Sequence, residues 1–285
     1  MPSTLDIRRR IRSVKNTAQI TKAMQMVAAS KMRKSQAAAL AGRPYQEVLN
    51  RALGALRGRI DPLATPLLVD RPVHCELILV ISTDKGLCGA LNTNLFRELT
   101  AIDAKEPSFA AVGRKAVQFL ARTRRNLLAD FQVSEIPRTQ EVRPIADFCV
   151  EKFLSGEVDR VRVVYSKFLN TLVQQATTAN LLPVSPEELH GEEEEAKVSS
   201  GEFLFEPSEQ GVLTAILPHY VIFQIFQMIL DARASEHSAR MVAMKNATDN
   251  AKQLVKDLTL HYNKVRQASI TTELLEIVSA QLSVG

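Results

Sequence analysis

Two hydrophobic periods divide the chain. Near the N-terminus Ile7, Ile11, Val14, Ala18, Thr21, Gln25, Ala28 and Met32 recur at alternating steps of four and three, a heptad seam whose middle is polar at Thr21 and Gln25. Ile20, Met24 and Val27 run beside it, so the helix is apolar around a broad arc, with one face for a neighbour in the chain and another for something outside it. Ser3 and Asp6 stand at capping-box spacing and start the helix. Gly42-Arg43-Pro44 predicts a kink or break, and residues 45–56 return to helical spacing.

The other end of the chain repeats the theme at greater length. Residues 232–284 contain neither Pro nor Gly, and helical composition extends back to residue 212 with one interruption, at Pro218. Roughly 70 residues at about 1.5 Å per residue make a helix of roughly 105 Å. A compact globule of this chain length is only about 50 Å across. The helix must therefore project, pair lengthwise with another helix, or enter a partner. Its first half is crowded with small side chains, Ala232, Ala234, Ser235, Ser238, Ala239, Ala243, Ala247 and Ala251, while Met241 and Met244 fill gaps. Leu254, Leu258, Val265, Ala268, Thr272 and Leu275 carry the seam onward. Two imperfect seams at opposite ends of a sequence are satisfied together if the helices pair antiparallel.

Between them the period changes from helical to alternating strand and helix. Residues 74–82 (HCELILVIS) form a short, bounded β-branched run and predict a buried strand. Further strands are expected at 109–113, 126–133, 158–168 and 171–182, the last two as a hairpin, with helices from 92 or 94 to 104, at 115–122 and at 145–154. This order implies an α/β domain with a mostly parallel sheet covered by helices on both faces. The predicted organisation is a coiled-coil shaft from residues 1–60 and 208–285, an α/β domain at 73–182 inserted between the long helices, and an acidic linker with a short strand at 183–207. Within that linker 203–205 is the strand candidate, and Ser208 is placed to cap the terminal helix.

Composition sharpens this picture. The chain is 46% hydrophobic but only 5% aromatic, with no Trp, which suits helix packed on helix. Charge is strongly segregated: residues 1–59 hold 13 Lys and Arg against Asp6 and Glu47, whereas Glu187, Glu188 and Glu192 to Glu195 make an acidic run. So one-sided a helix reads as a surface for nucleic acid, anionic lipid or an acidic protein partner, weighed against a merely solvated face. Cys75, Cys88 and Cys149 are odd in number and lack metal spacing, as in a reducing compartment. The Arg-rich start is not followed by an apolar signal region, and the most apolar window, 212–230, carries Pro218, His219, Gln224 and Gln227 and reads as a buried or partner-facing helix.

Candidate chemistry is sparse. The loop Thr83-Asp84-Lys85-Gly86-Leu87-Cys88-Gly89 follows a strand and precedes a helix, yet lacks both GxxxxGK[ST] and GxGxxG. No Ser/His/Asp or Cys/His constellation appears, and the five histidines lack ligand spacing. No catalytic residue, cofactor or metal is expected. Asp84 and Lys85 read as a contact for another subunit, held out by a rigid sheet.

The sequence also resembles a known family. Residues 11–34 (IRSVKNTAQITKAMQMVAASKMRK) are similar to the opening of the gamma subunit of F-type ATP synthases. Residues 235–251 (SEHSARMVAMKNATDNA) and 262–280 (YNKVRQASITTELLEIVSA) resemble that family's C-terminal helix, and 82–92 (STDKGLCGALN) its central loop. One departure lies at Ala280 and Gln281, where the family has Gly-Ala.

The resemblance implies a bacterial rotor shaft rather than an enzyme in its own right. Its coiled coil would occupy the bore of a hexamer of alpha and beta subunits, with the α/β domain standing on the membrane ring of c subunits beside epsilon, and delta elsewhere in the complex. One copy would serve each complex, peripheral to the inner membrane on its cytoplasmic side, with no nucleic acid bound. Each ion crossing at about 150 mV delivers roughly 3.5 kcal/mol for the shaft to transmit. The family likeness implies contacts to the alpha/beta ring through Met24, through Arg240 and Gln267 as a pair on one beta loop, through Lys22, Lys31 and Arg33, and through Leu274, Ile277 and Val278 at an apolar tip. Asp84 and Lys85 would lie at the foot near the c ring and epsilon. Read without the likeness, the same pattern also fits a coiled-coil adaptor that binds nucleic acid or anionic membrane through its basic helix.

Overall fold

The computed structural model describes residues 4–56, 65–184, 206 and 208–284. The elements run α1 (Thr4–Leu56), a short 3-10 turn (Pro66–Leu68), β1 (Glu76–Ile81), α2 (Leu91–Ala101), β2 (Pro107–Val112), α3 (Arg114–Arg122), β3 (Leu127–Phe131), α4 (Thr139–Leu154), β4 (Arg160–Phe168), β5 (Gln174–Leu182) and α5 (Glu209–Val284). They form two compact units: Met1–Ala28 with Arg240–Gly285, and Ala29–Ala239.

The larger unit is built on one five-stranded sheet in the order β3-β2-β1-β4-β5. β1 pairs parallel with β2 and β4, β2 parallel with β3, and the β4–β5 hairpin is antiparallel. The hairpin turn is fastened by the Asn170 side chain, which accepts the N–H groups of Leu172 and Val173 at 2.9 and 2.8 Å. All six residues of β1 are buried, as expected of a central strand covered on both faces. Its alternate side chains divide accordingly. Leu77, Leu79 and Ile81 enter a core with Val142, Ile145, Cys149 and Phe153 of α4, Leu49 and Leu53 of α1, and Leu217, Val221, Ile225 and Ile229 of α5. Ile78 and Val80 point the other way, onto Leu95 and Leu99 of α2 and Ala116 and Leu120 of α3. At about 1.5–3 kcal/mol for each large side chain fully buried, truncating Leu77 or Phe153 to Ala would be among the costliest single changes.

Neither proline breaks its helix. α1 continues through Pro44 and α5 through Pro218. Packing against a neighbour overrides the local cost of a missing N–H. Beside Pro44, Gly42 lets α5 approach so closely that a Cβ there would meet Gln227 Nε2, and Tyr45 tilts onto Phe223 with ring centroids 5.1 Å apart. Rising numbers on α1 meet falling numbers on α5, so the two helices run antiparallel. Around Pro218, Leu217, Tyr220 and Val221 are locked into the core. The apolar start of α5 is long and apolar enough to cross a membrane by length and composition, and half of that window is buried within the protein.

Other elements fall close to the expected positions, with one exception. α4 begins six residues earlier than expected, because Glu141 accepts the N–H groups of Arg138 and Ser134 and so closes the first turn at Thr139. Ser208 caps α5 as expected, its hydroxyl accepting the Gly211 N–H at 3.1 Å. Ser3 and the 203–205 strand candidate lie outside the described residues, as does most of the acidic run.

In the smaller unit the α1 seam is real. Ile7, Ile11, Val14, Ala18, Thr21, Gln25 and Ala28 are buried or half-buried, while most residues between them are exposed. On α5 the facing positions are Met244, Thr248, Ala251, Val255, Leu258, Tyr262 and Val265, again at steps of four and three. The sequence-based seam was right at Leu258 and Val265 and one residue out at Leu254, which is 41% exposed. Ala268, Thr272 and Leu275 are exposed too, because the α1 seam begins only at Ile7 and offers them no partner. The polar mid-seam positions meet each other: the Thr21 and Thr248 hydroxyls lie 2.7 Å apart and share a hydrogen bond.

Candidate partner-contact site

The smaller unit presents two chemically different surfaces. Its helices carry twelve Lys and Arg against five Asp and Glu. Arg8, Arg9, Arg10, Arg12, Lys15 and Lys22 are all exposed along α1, so the positive charge faces outward and makes a field that steers acidic partners. Ile20, Met26 and Val27 are exposed within this belt, and Met24 is half-buried at the edge of the seam. From Arg266 to Ser279 every residue of α5 is exposed. Arg266 is the last base; beyond it Glu273 and Glu276 are the only charges, and Ile270, Leu274, Leu275, Ile277 and Val278 stand unburied. A basic rod thus ends in an apolar overhang that no helix covers among the described residues.

Arg240 and Gln267 are not brought together. They lie 27 residues apart on one unbroken helix, about 40 Å at about 1.5 Å per residue, so they cannot grip one loop as a pair. Arg240 is half-buried, and Gln267 is exposed close to where the seam ends.

In the larger unit several of the expected contact residues are already engaged. Lys31 bonds Glu135 Oε2 at 2.6 Å, while Arg33 is exposed. Asp84 turns one oxygen to the Arg233 guanidinium at 3.1 Å and the other to the Arg114 N–H at 3.2 Å. This carboxylate therefore serves the fold, and of the two expected foot residues only Lys85 presents an exposed side chain. The sequence reading missed the cluster behind it. Buried Arg233 donates through Nη1 to Glu236 at 2.9 Å, and through Nη2 to Asp84 and to the Val133 carbonyl at 3.0 Å. His237 Nε2 lies 3.2 Å from Glu135 Oε1. Burial works against the charge on Arg233, but Glu236 and Asp84 outweigh it and raise its pKa. Burial likewise opposes the charge on Glu135, yet the hydrogen bond and charge of Lys31, with His237 and Arg233 behind, bring its pKa below the usual carboxylate value. The available signal was Arg233, Glu236 and His237 at helical spacing inside a run of small residues.

The glycine loop after β1 leads into α2, and the start of α3 lies beside it, where Asp84 of the loop meets the Arg114 N–H. Helix N-termini at the C-terminal edge of a parallel sheet are the usual anion sites, through amides left without partners. At α3 those amides are taken: Arg114 N–H by Asp84, Lys115 N–H by the Thr83 carbonyl at 3.1 Å, and Ala116 N–H by Ser82 Oγ at 2.8 Å. Gly113, at φ 92°, brings the chain so close that a Cβ would lie 2.5 Å from the Ser82 carbonyl oxygen. The start of α3 therefore has these three amides already committed within the fold. The three cysteines form no disulfide, and burial pushes the Cys149 thiol up to about 12. Among the described residues no group of three or more His, Cys, Asp or Glu is arranged to hold a metal.

Comparison with known proteins gives one answer. A family model described as ATP synthase matches residues 3–284. The chain is 52% identical to the ATP synthase gamma chain of Opitutus terrae over 99% of both sequences. It is 47% identical to that of Methylacidiphilum infernorum over the whole of both. Among solved structures, a chain of the Euglena gracilis mitochondrial ATP synthase OSCP/F1/c-ring assembly in rotational state 3 shares the fold at a TM-score of 0.72 and 23% identity, covering 99% of this chain and 94% of that one. The rotor of the same enzyme in rotational state 1 matches at 0.67 and 22%, over 94% and 98%. None of these supports the adaptor reading of the basic helix.

Proposed function

Because this chain belongs to the ATP synthase gamma-chain family, we infer that it is the central-stalk rotor and that its two units divide the work of coupling. The shaft, from the smaller unit, stands in the bore of the alpha/beta ring. The sheet unit meets the c ring and epsilon, delta completing the complex, on the cytoplasmic side of a bacterial inner membrane. Rotation of the ring turns the chain, and its unequal faces drive the catalytic beta subunits in sequence through different nucleotide affinities. The chain itself carries no catalytic group in this scheme.

The observation that carries this reading is the change of surface along one continuous helix. A bearing that turns inside other subunits needs weakly directional contacts at its tip, because every strong hydrogen bond formed there must be broken each turn. Leu274, Ile277 and Val278 supply apolar contact. The bases Lys22 and Arg33 supply long-range attraction for acidic loops that pass at varying distance, a role that does not need fixed geometry. Met24, Arg240 and Gln267 meet the ring at separate levels of the shaft. The purified chain should neither hydrolyse nor bind ATP, and should enter an active ATPase when mixed with its own alpha and beta subunits. Failure to enter that complex, under conditions where alpha and beta assemble with a related gamma chain, would remove the rotor reading.

A further inference from the structure

We propose that residues 233–238 of α5 form a torque collar, a ring of directional bonds that fixes the helix against rotation within the sheet unit, with Arg233 as its principal positioning residue. Five of the six positions there are polar and almost wholly buried: Arg233, Ser235, Glu236, His237 and Ser238. Successive residues turn about 100° around a helix axis, so these side chains leave α5 in several directions at one level. Each direction ends on a different element. Arg233 reaches Asp84 in the loop after β1 and the Val133 carbonyl after β3. Ser235 donates to the Ser166 carbonyl of β4 at 2.9 Å. Ser238 donates to the Thr171 carbonyl in the hairpin turn at 2.7 Å. Glu135 Oε1 lies 3.2 Å from His237 Nε2, and its other oxygen accepts from Lys31 of α1. Asp84 is anchored in turn to the first amide of α3.

The apolar core alone would not serve this purpose. Burial of methyl groups is non-directional, and a helix lined with Ala and Ser can rotate against its neighbours with little loss of buried area. Hydrogen bonds weaken steeply once their angles are disturbed, so a ring of them resists rotation. Buried ion pairs are also poor stabilisers relative to apolar residues of similar volume, so stability by itself does not account for an Arg with two carboxylates at this position. The proposal rests on the rotor reading, since only a loaded shaft needs such a joint.

The test uses the membrane holoenzyme in vesicles, with ATP hydrolysis and the ATP-driven membrane potential measured together, the latter by a voltage-sensitive dye. Asp84→Asn keeps an oxygen for the Arg114 amide and removes the charge facing Arg233. The combined variant Asp84→Leu, Arg233→Met and Glu236→Leu replaces the ions by apolar bulk and guards against a mere folding defect. Per assembled complex, both variants should hydrolyse ATP at the wild-type rate without load, yet sustain only about half the wild-type potential or less, because the joint slips under opposing torque. Equal potentials in wild type and both variants would overturn the collar and leave the rotor reading intact. A wild-type complex that assembles with this chain but generates no potential would instead overturn the reading on which the collar rests.

Discussion

Glu141 shows how much local order one side chain can set. It accepts the Ser134 amide, the Ser134 hydroxyl and the Arg138 amide, which fixes the first turn of α4 and the loop leading to Val133 and Glu135. The Ser134 N–H bond, foremost, holds its carboxyl below the ordinary value of 4.5. A folded-state pKa below the unfolded one contributes stability that is present above the unfolded value and lost as pH falls through the folded one. Urea midpoints should therefore drop for the wild-type chain as pH is lowered from 7 through about 4, and Glu141→Gln should flatten part of that drop. Parallel pH profiles for the two proteins would show the bonds to be unimportant. Residue-scale detail of this kind was the least legible part of the sequence. Arg233, Asp84 and Glu135 are distant in the chain, and only the fold brings them within hydrogen-bond reach. Asp84 looked available to a partner because nothing in its own loop revealed the guanidinium behind it.

Elements were far more legible, because hydrophobic period is a local property. The α1 seam and the buried β1 could be read directly, and the hairpin and mostly parallel sheet followed from element order. The errors share a cause, which is that tertiary contact outweighs local propensity. Gly42 and Pro44 read as a kink or break, yet α1 runs on through both, with the Gln227 and Phe223 side chains of α5 packed against Gly42. Leu254 read as a seam residue because it is the larger side chain, whereas packing selected its neighbour Val255. The register can be tested directly. Val255→Ala removes two half-buried carbons and should cost about 1 kcal/mol of shaft stability, while Leu254→Ala should change it little. Thermal melts of the full chain followed by circular dichroism would distinguish them, and a larger effect at Leu254 would restore the sequence-based register.

At the scale of the molecule, function follows from an unequal division of polarity along the chain. The sheet unit buries a few charges, Glu76, Arg233 and Glu236, and Arg233 ties a loop to a helix. The shaft keeps its charges outside, in a basic belt that ends at Arg266, and leaves an apolar overhang beyond it. This division was visible in the sequence as segregated charge and excess helix length. Its occupant was not, since the pattern alone fitted nucleic acid or lipid as well as an acidic protein ring, and family likeness decided between them. Rotation itself tests the rotor reading most directly. The chain is labelled on an exposed position of the sheet unit with a bead, assembled with its alpha and beta subunits, fixed to glass through the ring, and supplied with ATP. If the chain is the rotor, the bead turns continuously in one direction and stops when ATP is withdrawn. An assembled complex that hydrolyses ATP while the bead stays still would contradict it.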